Sequence, residues 1–313
     1  MVLMQRLLAL DIGNSRIKAA LFPPLSSPPA VQEDGTGRTI LRPRGSASAL
    51  PQVRQTAAMG LPGRTGSPAA DSPATPETGA AAGDLLELLC LPAGTRADVR
   101  SFAASVNPPG MVALLAGWPH DDLASPRLLQ WSDLPLPTVL SEPGKTGLDR
   151  LLGAVAASVV RQPGQAALII DAGTATTVDA VSAAGIFLGG AILPGLTMSA
   201  RALHQQTASL PELDFSKFCL GTLPAIGTNT TEALASGLLH GHAGAIRGLV
   251  QTMTAELEAT AIEAPQSGLP PLLVLTGGSA RLLAPAIPEY LLLPELCLQG
   301  LAIAAALLPE TDC

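Results

Sequence analysis

Two short segments of the sequence have the composition of phosphate-binding turns. They are Asp11-Ile12-Gly13-Asn14-Ser15 and Asp171-Ala172-Gly173-Thr174-Ala175. A glycine lets backbone N–H groups approach phosphate oxygens, and small hydroxyl or amide side chains add hydrogen-bond donors without bulk. The aspartate of each segment cannot bind phosphate itself, since like charges repel, but it can hold a cation that does. We therefore expect both turns to face a metal–nucleotide complex.

The two segments follow one plan. Each comes after an aliphatic run, Leu7–Leu10 or Ala167–Ile170, that predicts a buried strand ending at the aspartate. Each is followed by a second predicted strand, Ile17–Phe22 or Thr176–Val181. A strand that ends in Asp-x-Gly is common on its own, so two ordinary turns are one interpretation. The other is a duplicated lobe with a hairpin at its ligand edge.

The elements around these turns predict an α/β protein. A third aliphatic run, Leu272–Leu275, ends at Thr276-Gly277-Gly278-Ser279, which could support an adenine or ribose or be a plain strand-to-helix turn. Helical spacing is found at Arg150–Arg161, Thr230–Leu257 and Leu298–Leu308. Alternating strands and helices indicate sheets covered by helices. At roughly 100–200 residues per domain, the 313 residues predict two lobes, 1–163 and 164–313.

Residues 23–83 of the first lobe have a different composition. Proline, glycine, serine, threonine and alanine dominate there without sustained periodicity, which predicts a poorly ordered insertion. We expect a short strand around Arg38–Leu41 and a packed helix at Asp84–Leu91. No chemistry is assigned to the insertion.

The segment Gly147-Leu148-Asp149-Arg150 opens an apolar predicted helix and leaves two roles open for Asp149. Aspartate is a favoured helix N-cap, so Asp149 could simply cap the helix. It could instead be a general base that takes a proton from a substrate hydroxyl. In that case Arg150 would hold an anionic group of the substrate.

Composition and motif spacing argue against several classes of protein. A net charge of −7 and a pI near 5.1 leave no basic stripe for nucleic acid, and no stretch reaches the ~18 uncharged apolar residues of a membrane span. The four cysteines are far apart and suggest reduced thiols in a cytoplasmic protein. Gly144-Lys145-Thr146 resembles the end of a P-loop, but Val139 stands where that motif begins with glycine. No G-x-G-x-x-G follows a predicted strand.

Taken in order, the motifs resemble those of type III pantothenate kinases over nearly all of the chain except the 23–83 region. The matching motifs are Asp11–Ser15 with Lys18, Ser105-Val106-Asn107-Pro108-Pro109, Gly147–Arg150, Asp171–Thr177, Gly189–Gly195 and Gly227–Thr230. The resemblance implies an actin-like ATPase fold, in which two duplicated ribonuclease H-like lobes have mixed sheets flanked by helices. It also implies phosphorylation of pantothenate by ATP to 4′-phosphopantothenate, the first step of coenzyme A biosynthesis.

The resemblance further implies roles for individual residues. Asp149 would be the catalytic proton acceptor, Asp171 would hold a monovalent cation such as K⁺ or NH₄⁺, and Asp11 would hold Mg²⁺–ATP directly or through water. Residues implied to bind ATP are Asp11, Ile12, Gly13, Asn14, Ser15, Arg16, Ile17, Lys18 and Thr174. Residues implied to bind pantothenate are Gly147, Leu148, Asp149, Arg150 and Thr230. A cytoplasmic homodimer with no nucleic-acid or membrane partner is expected.

The chain departs from the family pattern at one place near the substrate motif. Leu140-Ser141-Glu142-Pro143 has leucine where the family's Y-x-x-P segment has tyrosine, so one substrate contact differs. Two alternatives remain: a kinase of the same superfamily for another small molecule, and a non-catalytic regulator on the same fold. Retention of Asp11, Asp149 and Asp171 counts against the regulator.

Overall fold

The computed structural model describes residues 5–24, 29–33, 39–61, 82–91, 93–260 and 267–309. The chain divides into two compact units, of which the first comprises Met1–Pro163 with Glu295–Cys313 and the second Gly164–Pro294. The strands of the described residues are β1 Arg6–Ile12, β2 Arg16–Phe22, β3 Val31–Glu33, β4 Thr39–Leu41, β5 Gln55–Gly60, β6 Val99–Ser105, β7 Arg127–Leu128, β8 Ala167–Ala172, β9 Ala175–Val181, β10 Phe187–Pro194, β11 Leu272–Thr276 and β12 Tyr290–Leu292. The α-helices are α1 Ala82–Leu88, α2 Pro108–Ala116, α3 Leu148–Val160, α4 Leu196–Gln206, α5 Thr230–Thr260, α6 Ala280–Leu283 and α7 Leu296–Leu307.

Each unit contains a five-stranded mixed sheet, and the two sheets have the same topology. The order is β5-β2-β1-β6-β7 in the first unit and β10-β9-β8-β11-β12 in the second. In each sheet the three strands at one side are antiparallel, and the central strand, β1 or β8, pairs in parallel with the next strand. The repeated order confirms the predicted α/β fold of two duplicated ribonuclease H-like lobes, the actin-like class.

The core of the first unit forms around β1, α3 and α7. Six of the seven residues of β1 are buried, and α3 is buried along nearly its whole length, because a helix that is apolar on all sides must be covered on all sides. The helix α7 packs against both β1 and α3. Residues 295–313, expected in the second lobe, group instead with the first compact unit.

The 23–83 region contributes ordered structure to the first unit. Strand β5 lies antiparallel to β2 at one side of the sheet, and β3 and β4 form a hairpin. The prediction of a flexible insertion therefore does not hold at β3, β4 and β5, and β4 lies where a short strand was expected. The helix expected at Asp84–Leu91 is α1, with Leu85 and Leu86 fully buried. Residues 62–81 lie outside the described part of the chain.

The second unit has its own apolar core, in which β8, β9 and β11 contact the 31-residue helix α5. Ile170, Val178, Leu239 and Ile246 are completely buried there. The three aliphatic runs that predicted strands at β1, β8 and β11 are all confirmed. Across the described residues of both units, each helix is too short or too polar to cross a bilayer.

Candidate active site

The first predicted phosphate turn is a tight hairpin between β1 and β2. The N–H of Gly13 donates to the carbonyl of Arg16 over 3.0 Å, which leaves Asn14 and Ser15 exposed at the tip. Asp11 and Lys18 are direct cross-strand partners, so their side chains lie on the same face of the sheet. The polar residues implied to bind ATP, Asp11, Asn14, Ser15, Arg16 and Lys18, therefore all lie at or next to this turn.

The two isoleucines of this hairpin have a different position. Ile12 and Ile17 pair with each other across the hairpin, and both side chains are buried in the core of the first unit. Their side chains therefore hold the turn on the sheet. Any contact that these two residues make with a nucleotide would come from the backbone.

The hairpin turn is held in place by the start of α2. Asn107 is the N-cap of this helix and accepts the N–H of Gly110 over 3.1 Å. The side-chain amide of Asn107 also donates to the carbonyl of Gly13 over 3.3 Å, and its own N–H donates to Oγ of Ser105. The Ser105–Pro109 motif thus fixes the first phosphate turn, a role that the sequence analysis did not assign.

Asp11 is a buried carboxylate, with only 9% of its surface exposed. Burial raises the pKa of Asp11 from its usual 3.8 to about 6, because leaving water disfavours the charged form. The nearby positive charge of Lys18 lowers this pKa, and the negative charge of Asp149 raises it. The hairpin of the first unit and the start of α3 therefore bring two of the predicted site carboxylates into electrostatic contact.

Asp149 lies in the first turn of α3, two residues after the N-cap position. The helix begins at Leu148, whose side chain is buried, and the N-cap is Gly147. Oδ1 of Asp149 accepts the N–H of Arg150 over 2.9 Å, and both side chains are half-buried. Asp149 is therefore not the N-cap of α3, and its role as a general base stays a prediction.

Gly147 has a steric reason to be glycine. A Cβ atom at this position would lie 2.5 Å from Oδ1 of Asp149, so any side chain would displace the carboxylate. The Asp149 carboxylate also lies at a helix N-terminus, where the helix dipole stabilises negative charge. The Gly147–Arg150 motif thus makes room for the Asp149 carboxylate at the start of α3.

The second predicted turn, in the second unit, is also closed by a backbone hydrogen bond of its glycine, but its loop is one residue shorter than the first. The N–H of Gly173 donates to the carbonyl of Ala175 over 3.1 Å, and Asp171 is a half-buried residue at the end of β8. The N–H of Gly195 donates to the carbonyl of Thr174 over 3.1 Å. The Gly189–Gly195 motif therefore ends against this turn, on which Thr174 is exposed.

Gly277 connects the third predicted turn to the second. Its φ is +95°, and a Cβ atom there would lie 2.4 Å from Oδ1 of Asp171 and 2.6 Å from the carbonyl oxygen of Ala172. Only glycine fits this backbone conformation without strain and without displacing the carboxylate. Contact with an adenine or ribose stays a prediction for this turn, whose observed contact is with the Asp171 turn.

Thr230, implied to bind pantothenate, is the exposed first residue of α5. The segment before it is held by a helix-capping network. Oδ1 of Asn229 accepts the N–H of Glu232 over 3.0 Å. The Glu232 carboxylate accepts from the N–H and hydroxyl of Thr228 over 2.8 and 2.7 Å. The Gly227–Thr230 motif therefore has a structural role, while Thr230 lines an apolar groove of about 390 Å³ with Leu203 and neighbouring residues.

Two further features near the site were not predicted. Cys297, in the first turn of α7, interacts with Asp11 and lowers the pKa of its carboxyl; no spacing in the sequence connects these residues. Leu140, which replaces the family tyrosine, lines an open cavity of about 540 Å³ in the first unit. Trp131 and Thr138 line the same cavity. The cavity thus has an aromatic side chain at Trp131, although Leu140 has replaced the family tyrosine.

Comparison with known proteins identifies the family. The family model for type III pantothenate kinase matches residues 69–252. A type III pantothenate kinase of Rubrobacter xylanophilus is 43% identical over 56% of this chain and 63% of its own length. A type III pantothenate kinase of Thermomicrobium roseum is 38% identical over 50% of this chain and 55% of its own length. One of Synechococcus elongatus is 35% identical over 69% of this chain and 78% of its own length. The chain thus spans less than two thirds of the Rubrobacter and Thermomicrobium relatives.

Solved structures with a similar course of the chain include ADP-bound MreB5 of Spiroplasma citri, with a TM-score of 0.44 and 13% identity over 96% of each chain. Ta0583, an archaeal actin homolog, has a TM-score of 0.42 and 13% identity over 96% of this chain and 99% of its own. The family model covers more than half of the 313 residues, and the Synechococcus relative is matched over more than two thirds of its length. The chain therefore belongs to the type III pantothenate kinase family.

Proposed function

We propose that the protein transfers the γ-phosphoryl group of ATP to the primary hydroxyl of pantothenate. The product would be 4′-phosphopantothenate, at the first step of coenzyme A biosynthesis. Family membership supports this reaction. The structural observation that carries the proposal is the electrostatic contact between Asp11, beside a phosphate-type turn, and Asp149, a carboxylate that does not cap its helix.

Asp149 is the proposed general base. Its half-buried carboxylate would accept the hydroxyl proton of pantothenate as that oxygen attacks the γ-phosphorus, a contribution of about 10²- to 10⁴-fold in rate. Arg150 would bind the pantothenate carboxylate, since guanidinium and carboxylate groups match in a two-bond geometry. Gly147 and Leu148 complete the proposed substrate contacts of the first unit, and Thr230 of the second unit stays a predicted pantothenate contact.

The hairpin of the first unit is the proposed phosphate site. The N–H groups and side chains of Asn14 and Ser15, with the Lys18 ammonium, would bind the phosphate oxygens. Thr174 of the second unit stays a predicted ATP contact. Positioning and charge neutralisation supply most of the acceleration in phosphoryl transfer. The bound Mg²⁺ would supply part of that neutralisation.

The carboxylate set fits a magnesium ion carried by the nucleotide. Among the described residues, no three His, Cys, Asp or Glu side chains cluster as a metal site. Mg²⁺ in phosphoryl-transfer sites is typically held by one or two carboxylates together with substrate phosphates and water. Asp11 is the proposed carboxylate, because it lies beside the phosphate turn and is ionised above its pKa of about 6.

Asp171 is the proposed ligand of a monovalent cation, K⁺ or NH₄⁺. Its Oδ1 and the carbonyl oxygen of Ala172 lie 2.4 and 2.6 Å from the point that a Cβ of Gly277 would occupy. A carboxylate oxygen and a backbone carbonyl oxygen therefore lie close together beside Gly277. Oxygen donors of this kind suit hard cations.

A homodimer is also proposed, through the second unit. Ile192, Met198, Leu203 and Ile226 are large apolar side chains exposed on this unit, with Ile226 83% exposed, and apolar surface of this kind is typical of interaction sites. Light scattering should give about twice the chain mass of 31.7 kDa. The cytoplasmic location expected from the sequence stays a prediction.

The test is a coupled assay of ATP consumption with and without pantothenate, in magnesium with and without potassium. We expect turnover only with pantothenate, and Asp149→Asn should lower kcat by about 10²- to 10⁴-fold while leaving nucleotide binding intact. Glu142→Gln is the matched control, because Glu142 lies close by in sequence and pairs with Lys145 at the surface. Full activity of Asp149→Asn would refute the general-base role. Turnover with another alcohol instead would favour a different kinase, and no turnover with any would favour a regulator.

A further inference from the structure

A small cavity of the first unit lies at the opposite end of α3 from the proposed general base. It has a volume of about 260 Å³ and is lined by parts of the 23–52 region, by Val159 of α3 and by Ile303 of α7. Asp149 lies in the first turn of α3 and Val159 in the last. At 1.5 Å of rise per residue, the helix separates these two residues by about 15 Å.

Two arginines of this cavity lie in one extended segment. Arg42-Pro43-Arg44 follows β4, and the residue before a proline is restricted to extended conformations. Side chains two residues apart in an extended chain point to the same side, and both Arg42 and Arg44 line the cavity. Gly45, with a φ of +70°, then turns the chain. The Arg-Pro-Arg-Gly sequence thus brings two guanidinium groups to one cavity.

The charge of these two arginines is not balanced within the described part of the chain. The described residues that line the cavity include no aspartate or glutamate, and neither Arg42 nor Arg44 forms an ion pair with a described residue. Both arginines are exposed, so a ligand can reach them from solvent. In a chain of net charge −7, the cavity is a local positive site that an anion would neutralise.

The backbone beside the arginines is held on α3. The N–H of Arg44 donates to the carbonyl of Val159 over 2.8 Å, and the N–H of Gly45 donates to the carbonyl of Arg161 over 3.0 Å. Val159 and Ile303, which form the apolar wall, are only 4% and 1% exposed. Packing therefore fixes the shape of the cavity, and binding would cost little ordering of the backbone.

A structural role for the arginines is the alternative. The last carbonyls of a helix carry partial negative charge, and cations near them stabilise the helix. Arg44 adjoins the end of α3 through its backbone, so its guanidinium could act in this way. The alternative gives no reason for the other lining residues, which include the Ser48 hydroxyl and the prolines Pro24 and Pro51.

We propose that this cavity binds a small metabolite that carries a phosphate or carboxylate on a short apolar chain. Arg42 and Arg44 would bind the anionic oxygens, since guanidinium groups match them in a two-bond geometry, and the Ser48 hydroxyl would add a hydrogen bond. The prolines and Val159 would contact the apolar part. A volume of about 260 Å³ limits the ligand to a small one, because pockets for drug-sized ligands measure roughly 300–1,000 Å³. The proposal does not depend on the pantothenate kinase reaction.

The test is isothermal titration calorimetry of the full chain with butyl phosphate, inorganic phosphate and butyrate. Butyl phosphate should bind more tightly than inorganic phosphate, which lacks the apolar part, and the comparison with butyrate identifies the preferred anionic group. Replacing both arginines, as Arg42→Gln with Arg44→Gln, should weaken the binding of butyl phosphate by about tenfold or more, since hydrogen bonds to a charged group are lost. The matched control is Arg54→Gln, because Arg54 is exposed in the same unit and is not among the described lining residues.

A second variant changes the space of the cavity and keeps its charge. Ala49→Leu would fill part of the cavity, since Ala49 lines it, and should weaken butyl phosphate while inorganic phosphate still binds. This variant carries the test if the double arginine variant fails to fold. Lys18→Gln, in the proposed nucleotide site, should leave the binding of butyl phosphate unchanged. Equal binding by wild type and the double arginine variant, or an equal loss in Arg54→Gln or Lys18→Gln, overturns the proposal.

Discussion

Replacing Asp11 with asparagine should make the first unit more stable at neutral pH while it removes the proposed magnesium–ATP ligand. The pKa of Asp11 is raised from 3.8 to about 6 in the folded protein, chiefly by burial. The folded state therefore holds a proton on this carboxyl between those pH values that the unfolded chain has released. Stability is lost as the pH rises through this window and stays lower above it.

The size of the effect follows from the two pKa values. Each unit of difference corresponds to 1.36 kcal/mol, so ionising Asp11 costs the folded protein about 3 kcal/mol at pH 7 and above. The attractions of Lys18, Arg16 and the Cys297 thiol are already included in that pKa. An asparagine stays neutral, so Asp11→Asn should gain about 3 kcal/mol at pH 7 and less than about 1 kcal/mol at pH 4.

The measurement is urea unfolding followed by tryptophan fluorescence at pH values from 4 to 8. Both tryptophans of the chain, Trp118 and Trp131, lie in the first unit, so the signal reports the unit that contains Asp11. The control is Asp98→Asn in the same unit. Arg6 holds the pKa of Asp98 below its usual value, so this substitution should lose stability at neutral pH and not at low pH.

A gain in Asp11→Asn that is equally large at pH 4 and pH 8 would refute the linkage argument, because it would not depend on ionisation. A loss of stability at pH 8 would show that the contacts of the carboxylate outweigh its burial. If Asp11→Asn gains stability as predicted and also loses kinase activity, the protein keeps the Asp11 carboxylate for function at a cost in stability.

Two glycine substitutions test the packing of the site. Gly277→Ala should destabilise the second unit by about 2 kcal/mol or more, because of its φ of +95° and the collision with Asp171. The control is Gly268→Ala, with a φ of +68° and open space around it, which should lower the free energy of unfolding less. Thermal unfolding followed by circular dichroism measures both. Gly300→Ala should destabilise the first unit by about 1 to 3 kcal/mol through overpacking against α3. Its control is Gly241→Ala in α5, where an added Cβ would meet no atom within 4 Å. That substitution should be neutral or stabilising by up to about 1 kcal/mol in the same measurement.

The strands next to the predicted phosphate turns could be read from the sequence, but the full extent of the first sheet could not. The runs before Asp11 and Asp171 are continuous and aliphatic, which is typical of central strands covered on both faces. Strand β5 has the sequence Gln-Thr-Ala-Ala-Met-Gly, and only Met59 in it is buried. A strand with so few buried apolar residues gives almost no periodic signal, and its pairing with β2 depends on tertiary structure.

The helix α7 shows a second limit. Its apolar composition predicted a buried helix, and that prediction is confirmed. Periodicity gives the burial of a helix but not the sheet that covers it, so its place in the first unit could not be found from the sequence. The interaction between Cys297 and Asp11 depends on that placement and was missed for the same reason.

For the candidate site, the residue types in the sequence predicted which carboxylates to consider but not which of them interact. Asp11 and Asp149 were singled out separately, and the structure brings them into electrostatic contact. The helix that carries Asp149 begins two residues earlier than a cap at Asp149 requires, a shift too small for sequence patterns to resolve. That the Asp11 and Asp171 turns bind a single nucleotide stays a prediction.

The discontinuous first unit has a consequence for biosynthesis. Domains commonly fold one after another from the N-terminus as the ribosome releases them. Here the ribosome must translate the whole second unit before α7 emerges. Until then, the apolar side of β1 and α3 that α7 covers would be exposed in the nascent chain. This protein should therefore acquire its phosphate-site unit late, and chaperone binding to the exposed surface of ribosome-bound intermediates is the expected sign.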